Sequence, residues 1–249
     1  MKLSRKKAFG AWTSLGHPSI TEIFSRSGVD FIGIDLEHST ISLDQAQQII
    51  ATAQAGGVAC FPRVGSHNAE HVKRLLDSGA DGIIFPMVST AAQVRQIIDW
   101  CKYTPVGKRS YGVARAQGYG FGFEEYTQRW NENSTIIIQI ESAEGVEAID
   151  ELLSFEAIDG AMIGPYDLSG CLGIPGQLSH ARVVEACSKV VAACQLRNKA
   201  CGTQIVEVST EAVSAAFSAG YTFAVLASDV FLLWKWSERT REIVKSSKP

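Results

Sequence analysis

Along this chain the apolar positions repeat on two scales. Short runs rich in β-forming residues end in a polar turn, and a longer segment with apolar residues at helical spacing follows. The short runs are AFGAWTSL (8–15), FIGIDL (31–36), ACFPRV (59–64), GIIFPMV (82–88), TIIIQIE (135–141), IDGAMIG (158–164), ACGTQIV (200–206) and TFAVLAS (222–228). In SLDQAQQIIATAQA, Leu43, Ala46, Ile50 and Ala53 share one face, and Ser42 stands where a helix cap belongs. NAEHVKRLLDSG, TAAQVRQIIDWCKY, AEGVEAIDELLSF, ARVVEACSKVVAACQLRN and STEAVSAAFSAG read the same way, several ending in the Gly that commonly stops a helix.

Strands apolar on both faces and joined by helices build parallel sheets. Eight such units in 249 residues predict an α/β protein, a single-domain (β/α)8 TIM barrel over 1–249. A C-terminal helix at about 229–246 is expected to pack on the barrel or to exchange with a neighbouring subunit. The rival is a doubly wound open sheet, which often carries a phosphate loop after its first strand. Here that position reads LGHPSIT, which is no such loop. GYGFGF (118–123) has the look of a glycine fingerprint but precedes no apolar helix, so it is set aside as a nucleotide site.

Composition narrows the function classes. The chain is 46% hydrophobic and 20% charged, enough apolar surface for a large core. A formal charge of −3 without a basic cluster gives no electrostatic reason to expect nucleic acid. No segment approaches the roughly 18 apolar residues of a membrane span. MKLSRKK resembles a signal-peptide start, but the short apolar stretch after it runs straight into the helical HPSITEIF, so a cytoplasmic protein is expected. Six cysteines show no CxxC pair and mostly sit among Ala, Val and Ile, as small buried hydrophobes do.

In barrels of this kind chemistry occurs where strands end and βα loops begin. Polar residues gather at those positions. The second run ends in Asp35, Glu37 and His38, the third in Arg63, the fifth in Gln139 and Glu141, and the sixth is followed by Gly164-Pro165-Tyr166-Asp167. Alternation puts Gln139 and Glu141 on one face, with Ile138 and Ile140 on the other. Glu141 and Asp167 come from neighbouring strands, about 4.8 Å apart. Two such carboxylates suit a hard divalent ion, Mg2+ or Mn2+, with Co2+ or Zn2+ as further candidates. The alternative is that both cap the helices that follow them. Arg63 either forms a salt bridge across the rim or holds a carboxylate and polarises a carbonyl. His38 is the best candidate base, with Asp35 three residues earlier to orient it; the alternative is a rim histidine with a purely local role. His67 and His71 lie one turn apart at a helix start, where an exposed face is the simpler reading. Lysine is absent from the second to eighth runs, and Lys199 falls at the opposite rim, which disfavours Schiff-base chemistry.

Taken in order, D-x-E-H, P-R-V, FPMV, G-x-R-S-x-G-x-x-R-A (107–116), QIES and G-P-x-D-L-S followed by LGIPG resemble the metal-dependent pyruvate aldolases related to 4-hydroxy-2-oxoheptanedioate aldolase and 2-dehydro-3-deoxyglucarate aldolase. The resemblance spans nearly the whole chain. It implies a class II aldolase that joins a pyruvate-type enolate to an aldehyde, or cleaves the 4-hydroxy-2-oxo acid product. It implies Glu141 and Asp167 as metal ligands and Gln139, Gly164, Tyr166 and Asp167 as contacts to the 2-oxo acid. Arg63 would face the enolate oxygen, His38 with Asp35 would be base and orienter, and Arg115 would meet the aldehyde portion. A homo-oligomer, a hexamer in this family, is implied as well. The sequence departs from the pattern at Leu36, at Tyr166 where Ala is common, and in Val64-Gly65-Ser66. The aromatic stretch YGFGFEEY is expected to line or cover the site. Two other readings compete: a lyase acting on a citrate-like or coenzyme A thioester substrate, and a non-catalytic barrel that presents VFLLWKWSE to a partner.

Overall fold

In a computed structural model, which describes Leu3 and residues 7–248, all eight apolar runs form parallel strands closed into one barrel. They are β1 Ala8–Thr13, β2 Phe31–Asp35, β3 Ala59–Arg63, β4 Gly82–Phe85, β5 Thr135–Ile140, β6 Gly160–Ile163, β7 Ala200–Ile205 and β8 Phe223–Leu226, and β8 returns to pair with β1. Most of MKLSRKK lies outside the described residues. No described helix is long and apolar enough to cross a membrane.

The strands feed two cores. On β5, Ile136, Ile138 and Ile140 face the helices, whereas Ile137 joins Trp12, Phe31, Phe61, Ile84, Met162 and Phe223 inside the barrel. The alternation predicted for this strand therefore holds, and Gln139 and Glu141 follow Ile137 on the inward face.

The helices are α1 Pro18–Ser25, α2 Leu43–Ala55, α3 Ala69–Asp77, α4 Ala91–Cys101, α5 Phe123–Asn133, α6 Ala143–Glu147, α7 Ile149–Leu152, α8 Pro165–Cys171, α9 Ala181–Leu196, α10 Thr210–Ser218 and α11 Asp229–Ser247. Ser42 caps α2 as its sequence predicts, in a reciprocal pair with Gln45, and Thr90 with Gln93 does the same for α4. AEGVEAIDELLSF is not one helix: it breaks at Ala148 into α6 and α7.

Residues 102–134 depart most from expectation. They contain a 3-10 turn at Arg115–Gly120 and the polar α5, which the apolar pattern does not reveal because only Trp130 of that helix is buried. Arg109 anchors the segment, bonding Asp77 at 2.9 Å and the Tyr126 hydroxyl at 3.0 Å. Its guanidinium lies 4.6–4.8 Å from the Trp130 and Tyr103 rings. These contacts hold the segment against the C-terminal end of α3, where the helices lead back to the strand starts. Gly122 shares a cleft there with Asp81, the residue before β4. Within one chain YGFGFEEY thus lies at the strand-start end of the barrel and does not line that chain's own mouth.

Buried thiols agree with the reading of the cysteines: Cys60, Cys101, Cys194 and Cys201 are buried, although Cys171 is exposed. Lys199 donates to the carbonyls of Phe155 and Ile158 at the strand-start end, and Lys102 is fixed there by Ser134 and Asn131. α11 leaves the barrel after buried Asp229, which takes the Thr13 hydroxyl at 2.8 Å and the Leu15 N–H at 2.9 Å. Beyond that point Leu232, Leu233, Trp234, Trp236 and Ile243 are exposed, so within one chain the helix does not pack on its own barrel.

Candidate active site

β2 and β3 end side by side, with Asp35 in register with Arg63. Asp35 Oδ1 accepts from Arg63 Nη2 at 2.8 Å and Nε at 3.2 Å, and also from the backbone N–H groups of Glu37 and His38 at 3.1 Å. Burial pushes the Asp35 carboxyl up, but the Arg63 charge and these hydrogen bonds outweigh it, so its pKa is lowered. Asp35 is therefore committed to Arg63 and to the turn. The expectation that it orients the His38 imidazole is corrected: the carboxylate beside that ring is Glu37, whose Oε2 lies 3.8 Å from His38 Nε2 and 3.0 Å from Arg63 Nη1.

Trp12 lies beneath this group, its ring 5.2 Å from the Arg63 guanidinium. It adds a side-chain hydrogen bond to Asp35. Gly33, its register partner on β2, leaves room for the indole, because a Cβ there would collide with the ring. Sequence reasoning missed Trp12. The available signal was a large aromatic opposite a strand glycine, but strand pairing was needed to read it.

Glu141 stands across the mouth at the end of β5, buried. Its Oε1 accepts the Met87 N–H at 2.8 Å and its Oε2 accepts Gln139 Nε2 at 2.7 Å. Gly164 passes close over it; a Cβ at Gly164 would come within 2.7 Å of Oε2. Burial raises the Glu141 pKa, and the charges of Glu37 and Asp167 raise it further against the lowering by its two hydrogen bonds. Glu37 is likewise raised, by burial first, with Arg63 and His38 lowering it and Asp35 and Asp167 adding repulsion. Asp167 and Tyr166 are exposed at the start of α8. Asp35, Glu37, Glu141 and Asp167, four carboxylates, thus share one rim with the Arg63 guanidinium, an excess of negative charge that a cation would relieve.

The donor set bears on which cation fits. Gln139 Oε1 is buried without a hydrogen-bond partner, and Glu37 Oε2 also lacks one despite its ion pair. Among the described residues no group of three or more His, Cys, Asp or Glu encloses a metal. A closed nitrogen-and-sulfur cage of the structural-zinc kind is absent from that set. An open pair of carboxylates, leaving positions for water and substrate oxygens, fits a hard divalent ion. His67 Nε2 contacts the Pro86 carbonyl at 2.7 Å, so that ring nitrogen is already engaged; burial and the Arg74 charge lower the His71 pKa.

Arg115 does not join the others. Its Nη1 donates to Gln54 Oε1 at 2.7 Å and to the Ser78 carbonyl at 3.0 Å, at the C-terminal ends of α2 and α3. Within one chain it therefore sits at the far end of the barrel from Asp35, His38, Arg63, Gln139, Glu141, Gly164, Tyr166 and Asp167. Those eight all fall where strands end.

Comparison with known proteins agrees with this geometry. The pattern of the HpcH/HpaI aldolase/citrate lyase family matches residues 8–235. The chain is 30% identical over 226 residues to the hydroxypyruvate/pyruvate aldolase of Roseobacter denitrificans, covering 90% of this chain and 88% of that one. It is 32% identical over 243 residues to the 2-keto-3-deoxy-L-rhamnonate aldolase of Escherichia coli K12, covering 96% and 89%. The crystal structure of an HpcH/HpaI aldolase from Desulfitobacterium hafniense superposes with a TM-score of 0.89 at 28% identity, covering 98% and 95%. With its barrel, its rim and this extent of likeness, the chain belongs to the HpcH/HpaI aldolase/citrate lyase family and is a carbon–carbon lyase of the 2-oxo-acid aldolase type.

Proposed function

We propose that the protein is a divalent-metal-dependent aldolase that joins pyruvate or a close 2-oxo acid to an aldehyde, and cleaves the resulting 4-hydroxy-2-oxo acid. One observation carries the reading: buried Glu141, its carboxyl raised beside Glu37 and Asp167, faces the rim that holds Arg63 and His38. Glu141 and Asp167 would hold Mg2+ or Mn2+, which supplies Lewis-acid polarisation of a keto oxygen when bound.

The chain's own residues account for the remaining chemistry. Backbone around Gly164, Tyr166 and Asp167 receives the substrate carboxylate, and the Gln139 side chain contacts the bound acid or its water. Arg63, held by Asp35 and Glu37 and backed by Trp12, presents fixed positive charge to the oxygen that becomes negative as a C3 proton leaves. His38 accepts that proton, with Glu37 supporting the positive imidazolium. The C3 carbon bonds to the aldehyde carbon, and the proton passes to the aldehyde oxygen to give the 4-hydroxyl. Cleavage reverses each step. Relatives that act on hydroxypyruvate, pyruvate and a 2-keto-3-deoxy sugar acid support a polar aldehyde as the partner.

The reading further takes the protein to be a cytoplasmic homo-oligomer, with the exposed apolar side of α11 covered by another copy. A lyase for citrate-like or thioester substrates is the second candidate, because the family description includes citrate lyase. Turnover is assayed with pyruvate and hydroxypyruvate against a panel of aldehydes, with and without EDTA. Loss in EDTA and recovery with Mg2+ or Mn2+ is expected. Full activity in EDTA, or covalent trapping of pyruvate by borohydride, would refute the mechanism. Turnover of thioester substrates alone would favour the second candidate.

A further inference from the structure

The end of β4 carries a conformational anomaly that the chemistry above does not use. Met87 has φ 53°, in the left-handed region that side-chain-bearing residues avoid, although glycine would adopt it freely. Its neighbours are clamped. The Pro86 carbonyl is taken by His67 Nε2 at 2.7 Å, and the Val88 N–H reaches the Gln139 carbonyl at 3.3 Å. Pro86 has no N–H of its own, so Met87 offers the first backbone donor after the strand, and that donor meets Glu141 Oε1 at 2.8 Å. Met87 is 53% exposed between buried Pro86 and Val88, so packing does not explain the conformation.

We propose that Met87 is a positioning residue: its left-handed backbone aims the Met87 N–H at Glu141 and fixes the carboxylate in the orientation that receives the cation. Gln139 restrains the other oxygen, so each Glu141 oxygen has one donor and keeps acceptor capacity for a metal. The inference rests on the metal reading of Glu141 and Asp167, and it adds the device that orients the ligand.

Two substitutions keep the N–H and separate backbone from side chain. Met87→Val burdens the left-handed conformation with a β-branch, whereas Met87→Gly relieves it. Mn2+ affinity is measured by calorimetry on the metal-free full-length protein, with circular dichroism to verify folding. Met87→Val is expected to bind Mn2+ roughly fivefold more weakly. Met87→Gly is expected to stay within about twofold of the original protein. Excess Mn2+ should restore the turnover that Met87→Val loses. Equal affinity in both variants and the original, or equal weakening in both variants, would overturn the positioning role. If Met87→Val fails to fold, the β-branched but polar Met87→Thr takes its place at this exposed position, with weaker binding than the original and Met87→Gly expected. Glu141→Gln separates the two levels of the argument. If it leaves Mn2+ affinity unchanged, the metal reading falls and the Met87 role with it. If it weakens binding while Met87→Val does not, only the Met87 role falls.

Discussion

Asp35 and Arg63 are register partners on adjacent strands, and Asp35 Oδ1 receives two guanidinium nitrogens of Arg63 at 2.8 and 3.2 Å. Both side chains are buried, so the pair is shielded from the solvent that makes surface ion pairs weak. Removing one partner leaves a buried charge. Asp35→Ala is expected to cost about 3 kcal/mol in urea unfolding, because Glu37 compensates only part of the loss. The Asp35 carboxyl is lowered in the fold, so its stabilisation is present above the ordinary aspartate pKa and disappears as pH falls through the folded value. An acid-unfolding curve should therefore flatten at low pH in Asp35→Asn.

Arg63 bridges Asp35 and Glu37 with different nitrogens, which one ammonium cannot reproduce. Arg63→Lys is expected to fold but to lose roughly 100-fold in kcat, with a smaller change in KM. A steady-state comparison at saturating metal measures this. A kcat within twofold of the original would remove Arg63 from the transition state.

Glu141 is raised by burial and by neighbouring carboxylates, so the sign is opposite to that of Asp35. Its contribution to the metal-free protein is fully present below the ordinary glutamate pKa and is lost as pH rises through the raised value. Glu141→Gln is accordingly expected to raise the Tm of the metal-free protein at neutral pH while reducing the Tm gain from Mg2+. Thermal scans with and without the ion test both halves, and an unchanged Mg2+ gain would contradict the assignment.

His38 is 69% exposed in its side chain, so replacing it disturbs little packing. His38→Ala should slow exchange of the pyruvate C3 protons by about 100-fold and leave Mn2+ affinity nearly unchanged. Deuterium incorporation followed by NMR gives the rate. Glu37→Gln should move the pH profile of that exchange, because it removes the carboxylate beside the imidazole.

α11 exposes Leu232, Leu233, Trp234, Trp236 and Ile243. If another copy covers this helix, Trp234→Glu with Trp236→Glu should yield smaller particles in light scattering. An unchanged molar mass would place the interface elsewhere.

Much of the site was legible in advance because a parallel barrel puts the ends of its strands at one rim. A charged residue closing an apolar run, as Arg63 and Glu141 do, already states where it will stand. Arg115 shows the limit of that logic. It follows no strand but lies in a long connection after α4, whose path depends on Arg109 meeting Asp77 and three aromatic rings. The same connection carries YGFGFEEY to the strand-start end. Glu37 shows a different limit: its role depends on side-chain reach across β3, which residue order does not encode.

The sequence alone determined the periodicity, and with it the eight strands, most of their helices, the capped start at Ser42, and the inward face shared by Gln139 and Glu141. Those features follow from local sterics and from which side of a strand each residue occupies. Only the tertiary structure decided which carboxylate pairs with Arg63, which lies beside His38, and that Trp12 supports both strands. It also set Met87 in its left-handed turn against Glu141. Pairings of this kind arise from register and packing between segments distant in the chain, and such contacts leave no periodic trace in the order of residues.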